Sequence, residues 1–260
     1  MSVRYVLGNY VNSGTILSIS GGEDPSGDYN KENLYDEDQA MPWRMTAKAG
    51  NILLDFGANR PTAIGILMHN FTNGATIRLA SDAANPPAGG GGWGGGNEDN
   101  IQVLTWNQMN VWYVFTWDQQ YFYLSVADAG NTSNLEIGEL VFYTWGSFTK
   151  TYKYPFSEGL RRNIGENLSH YGRRHRDRKS KQKMFTLDFN AVTDVNLAGE
   201  VATFFDALDA ENPFVFIPEH TEPNCWYGYV LNDEEASRDF DNMNSFSIEF
   251  EEQARGWTML

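Results

Sequence analysis

The stretch YFYLSVADAGNTSNLEIGELVFYTW, residues 121–145, decides the fold class of the N-terminal half of the chain. Its first seven residues alternate between two kinds of side chain, with Phe122, Leu124 and Val126 at every second position. This period of two predicts a strand that buries one face. A turn of small and polar residues follows, and then a second set of apolar residues. The stretch therefore predicts antiparallel strands joined by tight connections.

Upstream segments repeat the pattern. In GATIRLASD, residues 74–82, the apolar Ala75, Ile77 and Leu79 fall on one face. The preceding AIGILMHNF, residues 63–71, is almost wholly apolar and predicts a strand buried on both faces. IQVLTW and VWYVFTW add two further strands at similar spacing. Short strands at regular intervals indicate an antiparallel β-sandwich.

The second half predicts a smaller β-rich domain with one helix. MFTLDFN (184–190), PFVFIP (213–218), CWYGYVL (225–231) and SFSIEFEE (245–252) read as strands. Between the first two, residues 194–209 place an apolar side chain at helical spacing, with Asp194 as the expected N-cap. The predicted helix face consists of Leu197, Val201, Phe204, Phe205 and Leu208. We place the first domain, with an N-terminal extension, at residues 1–148 and the second at 149–260.

Four segments together resemble a discoidin-like, galactose-binding-type jelly roll: NLYDEDQAMPWR (33–44), NILLDFG (51–57), IGILMHNFTNGATIRLASD (64–82) and residues 121–145. The resemblance covers roughly residues 30–145, and LEIGEL after YFYLSVAD is its most specific part. It implies a mostly β fold in which a jelly-roll β-sandwich precedes the second domain. Members of this group bind glycans or protein surfaces through loops at one end, so the fold leaves the function open.

The HNFTNGATIRLASD segment, followed by a compact domain with TLDF and PFVFIPE strands, is similar to structural proteins of tailed-bacteriophage virions, of the tail-tip or baseplate type. This similarity implies a distal-tail-like component that forms a homo-oligomeric ring and contacts neighbouring tail proteins. Its location would be the virion tail, after synthesis in the host cytoplasm. The alternative is a carbohydrate-binding module that contacts host surface glycans.

Charge is strongly segregated along the chain. The formal net charge is −15, yet residues 161–183 hold nine cations against Glu166 and Asp177. The nine are Arg161, Arg162, Arg173, Arg174, Arg176, Arg178, Lys179, Lys181 and Lys183. Because an acidic body and a basic segment are complementary, copies of the chain can attract each other. We therefore predict an oligomer interface at this basic run, in a long loop or hairpin before the MFTLDFN strand.

Two other interpretations of the basic run stay open. Nucleic acid is a rival partner, although Tyr171 is the one aromatic residue from 170 to 183 and the whole chain has a pI near 4.6. A solvated loop is the plainer interpretation, since like charges repel. We expect no general nucleic-acid binding and no membrane insertion, because no long apolar segment is present.

A glycine-rich segment, NPPAGGGGWGGGN (85–97), carries Trp93 at its centre. So permissive a backbone fixes Trp93 only if something packs against it. Trp93 can dock into a neighbouring subunit, fold back on its own domain, or stack on a sugar ring. We count Trp93 as an interface candidate.

Catalysis and metal binding have weak support. The one cysteine, Cys225, has no partner for a disulfide, and no nucleophile motif is present. His69 next to a turn is typical of a structural histidine, His170 and His175 lie among cations, and His220 is isolated. The acidic segment 232–242 predicts a solvated loop. We expect no enzyme activity, no cofactor and no metal ion.

Overall fold

In a computed structural model, the chain is mostly β, with several antiparallel sheets and one helical segment. The structure describes residues 3–22, 24, 27–36, 41–89, 92–108, 110–150, 152, 157–168, 174–208, 214–217, 225–232, 236–240 and 242–252. For residues 157–168, 174–183 and 238–240 we describe the backbone alone. The chain divides into two compact units. The sandwich unit is Gly8–Trp145 with Thr221–Cys225, and the hairpin unit is Met1–Leu7, Gly146–His220 and Trp226–Leu260.

The sandwich unit contains ten strands and one 3-10 turn at Lys31–Leu34 within the described residues. The strands are β2 (Ile16–Ser20), β3 (Trp43–Met45), β4 (Ala49–Asp55), β5 (Ala63–Leu67), β6 (Thr76–Asp82), β7 (Asn100–Leu104), β8 (Asn110–Val114), β9 (Tyr121–Ala127), β10 (Leu135–Ile137) and β11 (Glu139–Tyr143). A five-stranded sheet has the order β2-β4-β9-β6-β7, a three-stranded sheet the order β11-β5-β8, and β10 pairs with β3. All of these pairs are antiparallel.

The alternation predicted from the sequence builds the core of this unit. Phe122, Leu124 and Val126 of β9 are buried, and they pack in one cluster with apolar residues of the three-stranded sheet. The prediction for β5 is also confirmed, because all five of its residues are buried. Its outward position is Gly65, where a Cβ atom would lie 2.7 Å from the Trp112 ring. Glycine at this position lets an indole cover the second face of the strand.

Within the described residues, the hairpin unit holds eight strands in one antiparallel sheet. They are β1 (Val3–Val6), β12 (Gly146–Phe148), β13 (Ser157–Leu168), β14 (Arg174–Thr193), β15 (Phe214–Ile217), β16 (Trp226–Val230), β17 (Ala236–Phe240) and β18 (Met243–Glu252). Seven follow the order β12-β1-β15-β16-β18-β14-β13, while β17 pairs with β18 alone. The four strands predicted for this half all exist.

Aromatic residues dominate the core of the hairpin unit. Phe189 stacks on Phe246 with ring centroids 4.5 Å apart and lies 5.2 Å from the Phe148 ring. Phe185 of β14 stacks on Trp226 at 3.8 Å. Close offset and tilted ring pairs of this kind stabilise a core beyond the area they bury.

The predicted helix forms and covers this core. It is α-helical at Asp194–Asn196, π-helical at Leu197–Val201 and α-helical at Ala202–Ala207. The predicted face is confirmed, since Val201 and Phe204 are buried and the other members pack against the same cluster. The predicted N-cap is wrong by one residue. Thr193 caps the helix, because its Oγ1 accepts a hydrogen bond from Asn196 N at 3.3 Å, whereas Asp194 Oδ1 accepts one from Asn244 Nδ2.

Two features differ from the sequence-based expectation. The chain divides between Trp145 and Gly146, close to the predicted boundary, but residues 1–7 belong to the hairpin unit. The reason is pairing: β1 lies between β12 and β15. The acidic segment 232–242 is also more than a loop, because β17 within it forms a ladder with β18.

Candidate functional site

The basic run forms part of a long β-hairpin, which is one of the two forms predicted for it. β13 pairs with β14 from Ser157↔Thr186 to Leu168↔Arg174. β18 pairs with β14 only from Met184 to Thr193. The first ten residues of β14 therefore have β13 as their one strand neighbour in the described part of the chain. We call residues 160–168 and 174–183 the arm. At about 3.3 Å per residue, the ten residues of β14 that belong to the arm span about 33 Å.

The arm contains most of the predicted interface residues. Arg161 and Arg162 lie on β13, and Arg174, Arg176, Arg178 and Lys179 lie on β14. Arg173 lies outside the described residues. Glu166 is the carboxylate directly opposite a cation in the ladder, at Arg176. The prediction that the run is an oligomer interface stays a prediction.

Trp93 lies against its own unit, which was one of the three interpretations of its loop. Its indole stacks on Tyr123 with centroids 5.6 Å apart and planes 12° apart. Its Nε1 donates a hydrogen bond to Asn85 Oδ1 at 2.9 Å. Trp93 is half-buried, so part of the ring system is still open to a partner. An interface role for Trp93 remains a prediction.

An ion pair lies beneath the loop and contacts its backbone, and no sequence pattern indicated this pair. Arg78 Nη2 lies 3.1 Å from Glu98 Oε2, whose side chain is fully buried. Gly94 N donates to Glu98 Oε1 at 2.6 Å. Burial alone would raise the pKa of Glu98, but backbone hydrogen bonds and Arg78 outweigh it and hold the pKa below the ordinary value. Burial raises the pKa of the neighbouring Tyr123.

The outer face of the five-stranded sheet continues from this stack as an apolar row. Ala80 of β6 lies opposite both Tyr123 of β9 and Ile101 of β7, so the three share one face. On the same face, Val103 lies opposite Arg78. Ile101 and Val103 are 43% and 57% exposed. The Trp93 platform, which we define as Trp93, Tyr123, Ile101 and Val103, is therefore an accessible apolar surface bordered by polar groups.

His69 has the structural role that its position next to a turn predicts. It is buried, its Nδ1 accepts a hydrogen bond from Phe71 N at 3.1 Å, and its ring stacks on Phe71. Burial lowers the pKa of His69 to about 4, against a smaller opposing effect of a hydrogen bond with the Asn107 backbone. His69 is therefore neutral at physiological pH and buried within the fold.

Among the residues that the structure describes, no three His, Cys, Asp or Glu side chains gather as a metal ion requires. None of the described helices combines the length and the apolar character needed to span a bilayer. An open polar depression of about 350 Å³ lies on β14, β17 and β18, lined by Asp188, Asn190, Ser237, Ser245 and Ser247, with Ala236 and Phe246.

No protein family and no curated protein matches the sequence. Solved structures share limited similarity with it. Chitosan-binding module 1 of a chitosanase/glucanase from Paenibacillus sp. IK-5 is 14% identical, with a TM-score of 0.38, over 52% of this chain and 98% of that one. The C-terminal domain of a chitobiase from Bacteroides fragilis is 19% identical, with a TM-score of 0.35, over 49% and 90%. A chain in the crystal structure of reduced XRCC1 bound to the DNA polymerase β catalytic domain is 13% identical, with a TM-score of 0.35, over 50% and 95%.

Proposed function

We propose that this protein is a structural component of a tailed-phage virion, of the tail-tip or baseplate type, that assembles with copies of itself. The observation that carries the proposal is the arm, whose β14 strand runs ten residues beyond the last pairing with β18. An isolated two-stranded hairpin is marginally stable in water, so a hairpin of this length gains most from a surface that covers it. The proposal involves no catalytic step.

Charge supports assembly between copies. Outside residues 161–183 the chain holds ten cations and thirty-two acids, while the segment itself is strongly basic. Complementary potentials raise association rates and select the orientation in which two copies meet. Neighbouring tail proteins are the other expected partners, and the attribution to a virion rests on the sequence resemblance described above.

The test is the molar mass of the full chain by multi-angle light scattering at about 50 mM and about 500 mM NaCl. We expect a multiple of the 29.4 kDa chain mass at low salt and a smaller assembly at high salt, because screening weakens charge pairing. A monomer under both conditions at high protein concentration would contradict the proposal.

A second candidate function is glycan binding at the Trp93 platform. The stacked Trp93 and Tyr123 rings lie beside exposed Ile101 and Val103, and Asn85 and Arg78 supply polar groups at the border. Sugar rings bind by stacking an apolar face on an aromatic ring while hydroxyls find polar partners. A glycan array with wild type, Trp93→Ala and Trp93→Phe tests it. Binding that Ala abolishes and Phe retains supports this site, and no binding by the wild type contradicts it.

A further inference from the structure

The two faces of the arm differ in charge. Residues directly opposite in an antiparallel ladder share a face, and alternate residues along a strand share it too. The ladder places the pairs Leu160↔Lys183, Arg162↔Lys181, Ile164↔Arg178, Glu166↔Arg176 and Leu168↔Arg174 on one face. We call this the cationic face: it holds six cations, three aliphatic residues and one acid.

The opposite face of the arm is close to neutral. It holds the pairs Arg161↔Gln182, Asn163↔Ser180, Gly165↔Asp177 and Asn167↔His175. Arg161 is its one cation and Asp177 its one acid. The basic character of the arm therefore belongs to one face and not to the hairpin as a whole.

A β-bulge produces this separation. The register shifts between Asn163↔Ser180 and Ile164↔Arg178, so that Lys179 is the extra residue on β14. A strand that slips by one residue exchanges its two faces. If Lys179 instead took a regular position in the ladder, Arg174, Arg176 and Arg178 would lie on the other face from Lys181 and Lys183. Bulges commonly redirect side chains in this way.

The cationic face continues the core-facing side of the sheet. Within the sheet, Phe185 and Leu187 are buried on that side, and the ladder places Glu158 opposite Phe185. Two residues further along β13, Leu160 lies on the same side, and the cationic face begins there. The core covers this side of β14 at Phe185 and Leu187. Further along the arm, the same side of β14 carries a row of cations. Every second cation of this row lies opposite an aliphatic residue of β13, namely Leu160, Ile164 and Leu168.

We propose that the cationic face docks on an acidic surface of a second copy of this chain. The inference rests on the proposed self-assembly and specifies the surface that performs it. Charge complementarity favours this partner, since the chain outside residues 161–183 carries many more acids than cations. The aliphatic row favours a protein surface over a nucleic acid, because phosphate backbones are contacted by cations and polar groups.

Two variants with equal changes of net charge test the face. Arg174→Glu with Arg178→Glu reverses two cations on the cationic face. The control, Asn163→Glu with Asn167→Glu, Ser180→Glu and Gln182→Glu, makes the same change of four charges on the opposite face. We expect the first variant to raise the dissociation constant of the assembly by about 100-fold or more, and the control by less than about tenfold. Circular dichroism checks that both variants fold.

The bulge provides an independent test that removes no charged side chain from the cationic face. Inserting one serine between Asn163 and Ile164 gives Lys179 a ladder partner, so it should remove the bulge, transfer Arg174, Arg176 and Arg178 to the other face and disrupt assembly. Lys179→Ala is the control, because it keeps the bulge and both faces. We expect the insertion variant to assemble at least tenfold more weakly than Lys179→Ala. Equal assembly of the two variants would overturn the role of the bulge.

The outcomes separate this inference from the proposed function. A wild-type monomer at low salt contradicts both. An oligomeric wild type with equal effects of the two charge variants, or with none, retains self-assembly and overturns the cationic face. Fluorescence anisotropy with a single-stranded DNA oligonucleotide measures binding to nucleic acid, the rival partner. Tight DNA binding by the wild type, lost in Arg174→Glu with Arg178→Glu, would assign the face to nucleic acid and overturn docking on a second copy.

Discussion

The two halves of β14 belong to one strand, and they differ in their strand neighbours and in the residues on one of their sides. From Met184 to Thr193 the strand lies between core and solvent, paired with β18, and its Phe185, Leu187 and Phe189 are buried. From Arg174 to Lys183 the same side of the strand carries cations, and β13 is its strand partner. The inward face of the first half is buried in the core of the hairpin unit. On the same side, the second half places a row of cations beyond the last pairing with β18.

This difference shows how one strand serves two purposes. Alternating buried residues fix the register of residues 184–193, because a slip by one residue would expose them. The arm half extends that register outward, and the bulge at Lys179 keeps its cations aligned with the buried side. The register of residues 184–193 therefore determines which face of the arm a partner would contact.

The largest effect on stability should come from a substitution in residues 184–193 of β14. We expect Phe189→Ala to lower the free energy of unfolding by about 3–5 kcal/mol, because it removes a fully buried ring that stacks on Phe246. Lys181→Ala in the arm is the control, expected within about 0.5 kcal/mol because Lys181 lies beyond the last pairing of β14 with β18. Urea denaturation of both variants measures the contrast. A cost for Lys181→Ala similar to that for Phe189→Ala would remove the distinction between the two halves.

A side chain buried in the protein should be uncharged, and His69 tests this expectation in the sandwich unit. The pKa of His69 is about 4 in the folded protein and about 6.5 in an unfolded chain. Between these values the unfolded state binds more protons, so stability rises with pH. Its contribution is complete above pH 6.5 and is lost as the pH falls towards 4, in total about 3 kcal/mol.

Thermal or urea unfolding across this pH range measures the slope, and His69→Gln is the variant that lacks the titrating ring. The difference in stability between wild type and variant should shrink as the pH falls from 6.5 to 4. A difference that is independent of pH would contradict the buried neutral state of His69.

The Arg78–Glu98 pair contrasts with the cations of the arm, because Arg78 forms an ion pair with a carboxylate of its own unit. Arg78→Gln should cost about 2 kcal/mol, since it leaves a buried carboxylate with its backbone donors alone. Hydrogen exchange should increase at residues 92–98, which the pair holds through Gly94. Unchanged exchange in this loop would show that the ion pair does not order it.

Local pattern predicted a large part of this fold. Period-two alternation placed β9 with the correct buried residues, and a continuous apolar run placed β5 between two covered faces. For β6 it gave Ile77 and Leu79 correctly, whereas Ala80, predicted on the other face, is buried too. The helical spacing from Leu197 to Leu208 gave the correct face. These elements follow from short-range periodicity, which one sequence contains.

Long-range pairing could not be predicted in the same way. The N-terminal strand β1 joins the hairpin unit through β12 and β15, which lie more than 140 residues away. The Arg78–Glu98 pair and the Trp93–Tyr123 stack likewise join residues 20 or more positions apart. The bulge at Lys179 depends on the register against β13, so the sequence showed a basic run but not its one-sided arrangement. Pairing partners and register are properties of the folded chain.

The measurement that tests the central claim most directly is backbone hydrogen exchange, compared between the low-salt and high-salt states of the full chain. If the cationic face docks on another copy, amides of residues 160–168 and 174–183 should exchange at least tenfold more slowly at low salt, while amides of residues 184–193 stay protected in both states. Equal exchange of the arm in the assembled and the dissociated states would contradict docking through the arm.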